Sequence, residues 1–361
     1  MEPHDVEIIK LSDQVLCDFI ARILGGAGVP ASHAILVSNS LIAANLRGID
    51  SHGVQLLSGY MQQLREGGVD GSAGGVIAAE TGACLVYDGQ NGLGQVVANA
   101  CVHHAVRLAR DNGVALVIAR NSHHYGAAFY WSEIMARAGC IGITMSTTGI
   151  VIPPWQGKSA RLGTNPIAMA VPGSCRETWL LDMATTTVAR NRVASSIDYG
   201  LSTIPASWMF VDANGNPTTS CRDAENGWPQ PLGGYKGTGL AMMVEILCAG
   251  LSGGPMSTEA PFYRNGVVPL RTSHMFMAID PTRFMQSGEF EERMVRLIGL
   301  VKSSEPASGY DEVLVAGEPE WRTEKKRLRE GIPIPAPLWT RLLAIADGLK
   351  VAPPKLGATD L

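Results

Sequence analysis

Val114, Ala115, Leu116, Val117 and Ile118 form an unbroken apolar run, opened by Gly113 and closed by Ala119. A run this short and this rich in β-branched residues reads as a strand buried inside a sheet. The chain then passes directly into Asn121-Ser122-His123-His124-Tyr125-Gly126, a polar loop ahead of a helix expected over 127–138. Polar groups at the end of a buried strand are where α/β sheets usually hold ligands.

The rest of the pattern extends this frame. Ser12 is suited to cap a helix with Val15, Leu16, Phe19, Ile20 and Leu24 on one face, stopped at Gly25-Gly26. A second helix is expected over 32–46. Gly48-Ile49-Asp50-Ser51-His52-Gly53 then breaks the helical period. A third helix follows, with Val54, Leu57, Tyr60, Met61 and Leu64 at helical spacing, so Asp50-Ser51-His52 is placed at its N-terminus. Strands are expected at 76–79 and 84–88. The turn Gly89-Gln90-Asn91-Gly92-Leu93-Gly94 opens a long helix ending near Asp111. Further strands fall at 141–145, 167–171, 179–182 and 274–279, and the last helices near 289–303, 319–329 and 337–348. The stretches 198–232 and 250–272 read as loop-rich or irregular. Strands and helices mix without repeating cleanly as βαβ units, which gives an α/β fold with a mixed sheet. The 361 residues suit two interleaved domains, each with a core of its own.

Charge and composition remove several function classes. Net charge is −4 and no basic stripe with interleaved aromatics appears, so nucleic acid is not an expected partner. The start, Met1-Glu2-Pro3-His4-Asp5, shows no secretory signal, and the longest apolar run, 239–251, carries Glu245 and is too short for a bilayer. Seven cysteines (Cys17, Cys84, Cys101, Cys140, Cys175, Cys221, Cys248) are scattered without a CxxC pair. They read as reduced, mostly buried thiols of a cytoplasmic protein.

Three constellations can carry chemistry. Asp50-Ser51-His52 sets an imidazole beside a hydroxyl and a carboxylate, which can hold one tautomer poised for proton transfer; the plainer reading is a capping segment whose histidine merely packs. Of His123 and His124 at most one faces a site, since adjacent side chains diverge, and no further ligands at metal-binding spacing appear, so no metal is expected. His103-His104 lies mid-helix and reads as surface. Gly233-Gly234-Tyr235-Lys236-Gly237 opens a helix and can cradle phosphate with backbone amides and one lysine, or be only a glycine-rich helix start. It is not a P-loop. Gly89, Gly92 and Gly94 give GxxGxG, so a dinucleotide would not be held by the usual Rossmann turn. Gly250-Leu251-Ser252-Gly253-Gly254 matches the GxSxG of serine hydrolases but ends a helix where that elbow needs a strand-to-helix turn.

Taken in order, Leu46-Arg47-Gly48-Ile49-Asp50-Ser51-His52-Gly53-Val54, Asn121-Ser122-His123-His124-Tyr125-Gly126, Gly163-Thr164-Asn165-Pro166, Leu181-Asp182-Met183-Ala184-Thr185, Pro231-Leu232-Gly233-Gly234-Tyr235-Lys236-Gly237 and Gly317-Glu318 resemble the malate/L-lactate dehydrogenase family of the non-Rossmann type. Its members include ureidoglycolate and sulfolactate dehydrogenases, 2,3-diketogulonate reductase and piperideine/pyrroline-2-carboxylate reductases.

The resemblance implies an L-sulfolactate dehydrogenase-like, mixed-sheet NAD(P)-binding fold with helical ends. Residues 1–120 would form a helical substrate and dimerisation part, 121–280 the main cofactor part, and 281–361 a helical part packing back on the first. It implies a homodimer acting on a small 2-oxo or 2-hydroxy acid, ketone or cyclic imine. His52 would be the proton donor, Ser51 its partner and His124 a second catalytic histidine. His124, Tyr125, Gly126, Thr148, Asp182, Met183, Ala184, Lys236, Gly317 and Glu318 would meet NAD or NADP, with Glu318 favouring NAD, and Thr164 would lie near the substrate.

One departure stands out. Many members have Ser-His-Gly-x-x-Arg, whose arginine pairs with the substrate carboxylate, and Leu56 occupies that place here. Leucine cannot replace a bidentate arginine contact. Either another cation, Arg47 or Arg192, takes the carboxylate, or the substrate is specialised, a cyclic imine or an uncharged ketone. Asn191 and Ala316 depart from the family's usual glycine and proline. The departures leave a catalytically drifted, cofactor-binding homologue as the alternative, with a hydrolase using Ser252 behind it.

Overall fold

The computed structural model describes residues 6–173, 179–189, 191–260 and 268–354. The N-terminal residues 1–5 and Cys175 therefore lie outside the described residues.

β1 (Ile8–Leu11) leads into α1 (Asp13–Gly26), capped as expected: the Ser12 hydroxyl oxygen accepts from the Val15 amide at 3.3 Å. α1 packs on α2 (Ala31–Leu46), and α3 (Leu57–Arg65) follows. Then come β2 (Val76–Thr81), β3 (Cys84–Asp88), α4 (Gly94–Asn112), β4 (Val114–Ser122), α5 (Phe129–Arg137), β5 (Ile141–Ser146), β6 (Ile167–Ala170) and β7 (Leu180–Met183). α6 (Asn191–Asp198), β8 (Phe210–Val211), β9 (Pro217–Thr218), α7 (Cys221–Glu225) and β10 (Trp228–Pro229) build a small lobe. α8 (Tyr235–Glu245) runs on as a π turn to Gly250, and β11 (Thr272–Ile279), α9 (Glu289–Lys302), α10 (Glu318–Glu330), β12 (Ile332–Pro335) and α11 (Ala336–Gly348) complete the chain.

The main sheet is mixed, as expected. Its order is β2-β3-β4-β11-β5-β6-β7; β3 and β4 run parallel and the other neighbours antiparallel. β4 lies inside it with both faces covered. Val117 packs with Val97, Cys101, Val102 and Trp131 from α4 and α5, while Ile118 packs with Val244 and Cys248 from the other side. That two-sided burial is why this strand is apolar without alternation.

A second core unites the chain ends. α1 to α3 bury Leu16, Phe19, Ile20 and Leu41 with Ile332, Ile334, Leu338 and Leu342. β1 and β12 pair antiparallel here, Leu11 opposite Ile332. The sequence reading contains neither strand: each is four residues long, and β12 alternates isoleucine with proline. Residues 198–232 are likewise more ordered than expected. Val193, Ile204, Phe210 and Cys221 form a small core beneath β8, β9 and β10.

Candidate active site

The Asp50-Ser51-His52 segment does not begin α3. It forms its own 3-10 turn, a second turn covers Val54–Leu56, and α3 starts at Leu57. Asn45, at the end of α2, explains the detour. Its Oδ1 accepts from the Val54 amide at 2.8 Å and its Nδ2 donates to Asp50 at 2.7 Å. A Cβ on Gly53 would overlap that carboxamide, so only glycine lets the turn wrap it. Arg327 of α10 grips both Asp50 oxygens, at 2.6 and 2.9 Å. Asp50 is therefore an anchor for the turn, its carboxylate held by Asn45 and Arg327. Ser51 Oγ lies 3.0 Å from His52 Nδ1.

The strand-end loop brings the second histidine to the first. The His52 and His124 rings lie 5.9 Å apart and 22° from parallel. His124 lines the same cavity as His52, whereas His123 is fully buried beside it. Gly94 makes room for this loop, since a Cβ there would overlap the His123 and His124 carbonyls. Gly94→Ala is expected to displace the loop at a cost of about 1–3 kcal/mol in urea unfolding; unchanged stability would contradict that packing.

The cavity holds about 590 Å³, within the usual size for a small-molecule site. Ser51, His52, His124, Tyr125, Gly126, Thr148, Thr164, Asp182, Met183, Ala184 and Arg192 all border it, so most of the residues expected at the site converge. Burial, with Arg192 nearby, pushes His52 down to about 4, and burial beside His52 holds His124 well below the usual histidine range. Both imidazoles are neutral at pH 7. Enclosure pushes the Asp182 carboxyl up to about 6, partly offset by the Phe129 amide that it accepts at 2.9 Å; it thereby caps α5.

Other expected residues lie elsewhere. Arg47 is buried between Phe129 and Trp321, 4.2 and 3.9 Å from their ring centroids, and bonds Glu133 at 2.8 Å and Glu324 at 3.0 Å. Its charge is consumed inside the protein. Leu56 packs on the N-terminal core. Lys236 is exposed on the first turn of α8, four residues after the lining residue Leu232. Gly317 and Glu318 begin α10 outside the cavity, with Glu318 2.5 Å from Lys302. Ser252 is buried at the helix end, bonded to Ser273 and the Ala249 carbonyl, with no strand-to-helix elbow. Among the described residues no group of three metal-ligating side chains occurs.

Further lining residues carry no motif of their own in the sequence. Ser146, Thr186, Thr187, Val188 and Glu320 join the wall. Glu320 was within reach of inference, two positions after Glu318 on one helix start. The wall suits the nicotinamide half of a dinucleotide. Val151, Pro166, Met183, Val188 and Leu232 offer apolar surface to a flat ring, and threonine hydroxyls offer polar contacts.

A family model described as malate/L-lactate dehydrogenase matches residues 11–343. A malate dehydrogenase of Pyrococcus horikoshii is 37% identical over 339 residues, covering 91% of this chain and 92% of that protein. A ureidoglycolate dehydrogenase (NAD(+)) of Escherichia coli is 32% identical over 340 residues, covering 94% and 96%. The solved sulfolactate dehydrogenase from Methanocaldococcus jannaschii superposes with a TM-score of 0.84 at 34% identity, over 96% of this chain and 98% of that one.

Proposed function

The chain belongs to the malate/L-lactate dehydrogenase family, and from that premise we propose that it moves a hydride between a nicotinamide dinucleotide and C2 of a small 2-hydroxy or 2-oxo acid, with His52 handling the hydroxyl proton. It is an enzyme of the dehydrogenase class. The observation that carries the reading is the single cavity joining His52, His124 and Arg192 to the strand end Asp182-Met183-Ala184.

A nicotinamide bound there supplies or accepts the hydride. Tyr125, Gly126, Thr148, Met183 and Ala184 would hold the ring half, and Lys236 with the amides at the start of α8 would meet a phosphate. Arg192 is the one cationic side chain among the described lining residues, which supports it as the carboxylate's partner in place of the arginine absent at Leu56. Thr148 and Thr164, with hydroxyls 3.3 Å apart, support the substrate's position.

The NAD(+) in the Escherichia coli relative's name favours NAD. α9, with no buried residue and with Val295, Leu297 and Leu300 more than half exposed, supports a homodimer. The six described cysteines are unpaired, which supports a reducing, cytoplasmic setting. Among the described residues no helix is long and apolar enough to cross a membrane.

NADH and NADPH consumption should be followed with 2-oxo acids, matched uncharged ketones and cyclic imine carboxylates. Turnover led by the 2-oxo acids supports the reading. Turnover confined to uncharged ketones overturns the role of Arg192, and cofactor binding without any turnover points to a drifted homologue.

The low His52 pKa sets the expected pH dependence. Oxidation needs neutral His52 as base, so its kcat/KM should be flat at neutral pH and fall as pH drops through about 4. Reduction needs the protonated ring, so its kcat/KM should fall about tenfold per pH unit above that point. A reduction profile flat between about pH 5 and 8 contradicts His52 as the acid.

Arg192→Ala should lower kcat/KM for carboxylate substrates about 10- to 100-fold, the worth of a charged hydrogen bond, with no such loss for uncharged ketones. Losing that positive neighbour should also raise the His52 ionisation seen in the oxidation profile. Equal losses on both substrate classes would contradict this assignment.

A further inference from the structure

His124 is held from behind in a way that assigns its protons. Two atoms approach Nδ1: the Gly126 backbone nitrogen at 3.2 Å and the Tyr60 hydroxyl at 2.7 Å. A backbone N–H can only donate, so Nδ1 must be the bare, accepting nitrogen of the ring. The tyrosine must then donate to it as well. Since the tyrosine's one proton is used there, the Gln95 carboxamide, 3.0 Å behind it and fully buried on the first turn of α4, must present its NH2 to the tyrosine oxygen. The direction of every bond in the row follows from the one donor that cannot reverse. By elimination, the proton of neutral His124 is on Nε2, the nitrogen left for the cavity that the ring lines.

His52 is held differently. Among the described residues its Nδ1 meets the Ser51 hydroxyl at 3.0 Å, a group that carries both a donor and acceptor lone pairs, so the contact fits either the neutral or the protonated ring. His124 cannot follow without turning two donors away from Nδ1. Resting on the dehydrogenase reading above, we propose that Tyr60, backed by Gln95, is a positioning residue that locks His124 as a neutral Nε2–H donor to the substrate oxygen, leaving proton exchange to His52 alone. In reduction the substrate oxygen takes its proton from His52, while the Nε2 proton of His124 stays on His124 and stabilises the developing negative charge. In oxidation the hydroxyl proton passes to His52. Tyr60 is nearly fully buried, at 3% exposure, and its ring also packs edge-on against His123, so the hydroxyl can be removed with the packing kept.

Two measurements test this. In the free protein with ring-15N histidine, His124 should show a bare Nδ1 and a protonated Nε2, unchanged between about pH 5 and 8. A proton on Nδ1, or titration in that range, overturns the lock. Tyr60→Phe should lower kcat and kcat/KM together by about tenfold, as for loss of one hydrogen bond acting in the transition state. Its kcat profile should gain a second ionisation, from a His124 no longer held. Gln95→Leu, which removes the carboxamide contact to the tyrosine hydroxyl, should show a smaller loss in the same direction. Tyr60→Phe with wild-type kcat and an unchanged pH profile overturns the positioning role. The 15N result needs no substrate, so failure of the dehydrogenase reading would appear separately, as a wild type without turnover whose His124 is still Nε2-protonated.

Discussion

His52→Ala is expected to lower kcat/KM by about 10²- to 10⁴-fold in both directions, the usual contribution of a positioned acid or base. The cavity predicts this size of effect because, of the two imidazoles on its described wall, His52 is the one set to exchange a proton. His124 has its Nδ1 engaged by Tyr60 and Gly126. Asp182 is the nearest alternative in chemistry, being pushed up to about 6, but its carboxylate is already accepting the Phe129 amide. The anchors of the turn, Asn45, Asp50 and Arg327, do not touch the imidazole, so stability should change little. A loss of less than about fivefold with 2-oxo acids would move the acid/base role elsewhere.

Arg47→Ala is expected to destabilise the fold by about 3–5 kcal/mol, as when one partner of a buried ion pair is removed. Arg47 joins three segments distant in the chain. From the end of α2 it bonds Glu133 on α5 and Glu324 on α10, while Phe129 and Trp321 cover its two faces. Glu133 keeps the half-exposed Arg137 at 2.9 Å, and both Glu133 and Glu324 lose their Arg47 contacts. The aromatic slot would be left partly void. α10 also carries Arg327, so a loosened α10 should release Asp50 and the His52 turn. Urea unfolding measures the loss, and a change below about 1 kcal/mol would show the triad to be nearly neutral.

This arginine shows where the sequence stops being legible. Arg47 adjoins the Asp50-Ser51-His52 motif, and proximity in sequence suggested a substrate contact. Its carboxylate partners lie on two helices far along the chain, and no local pattern announces them. Tyr60 was hidden differently: it falls at helical spacing among Val54, Leu57 and Leu64, so it reads as core. It is core, but its hydroxyl reaches His124 on the loop after β4.

What was legible rests on local physics. The Ser12 cap, the two-sided apolar β4 and the polar loop at its end each follow from a few neighbouring residues. The convergence of His52, His124, Asp182 and Thr164 came from dispersed motifs taken in order, not from any one of them. The β1–β12 pair could not be read because its register belongs to tertiary contact between the chain ends.

The most direct test of the central claim follows a deuterium atom. Wild-type protein would be given a 2-oxo acid and NADH dideuterated at C4 of the nicotinamide, and the 2-hydroxy acid formed would be weighed by mass spectrometry. The account predicts one deuterium at C2 of the product, carried there directly, with the hydroxyl proton drawn from solvent through His52. A product formed without the label, or no product while NADH is bound, would contradict it.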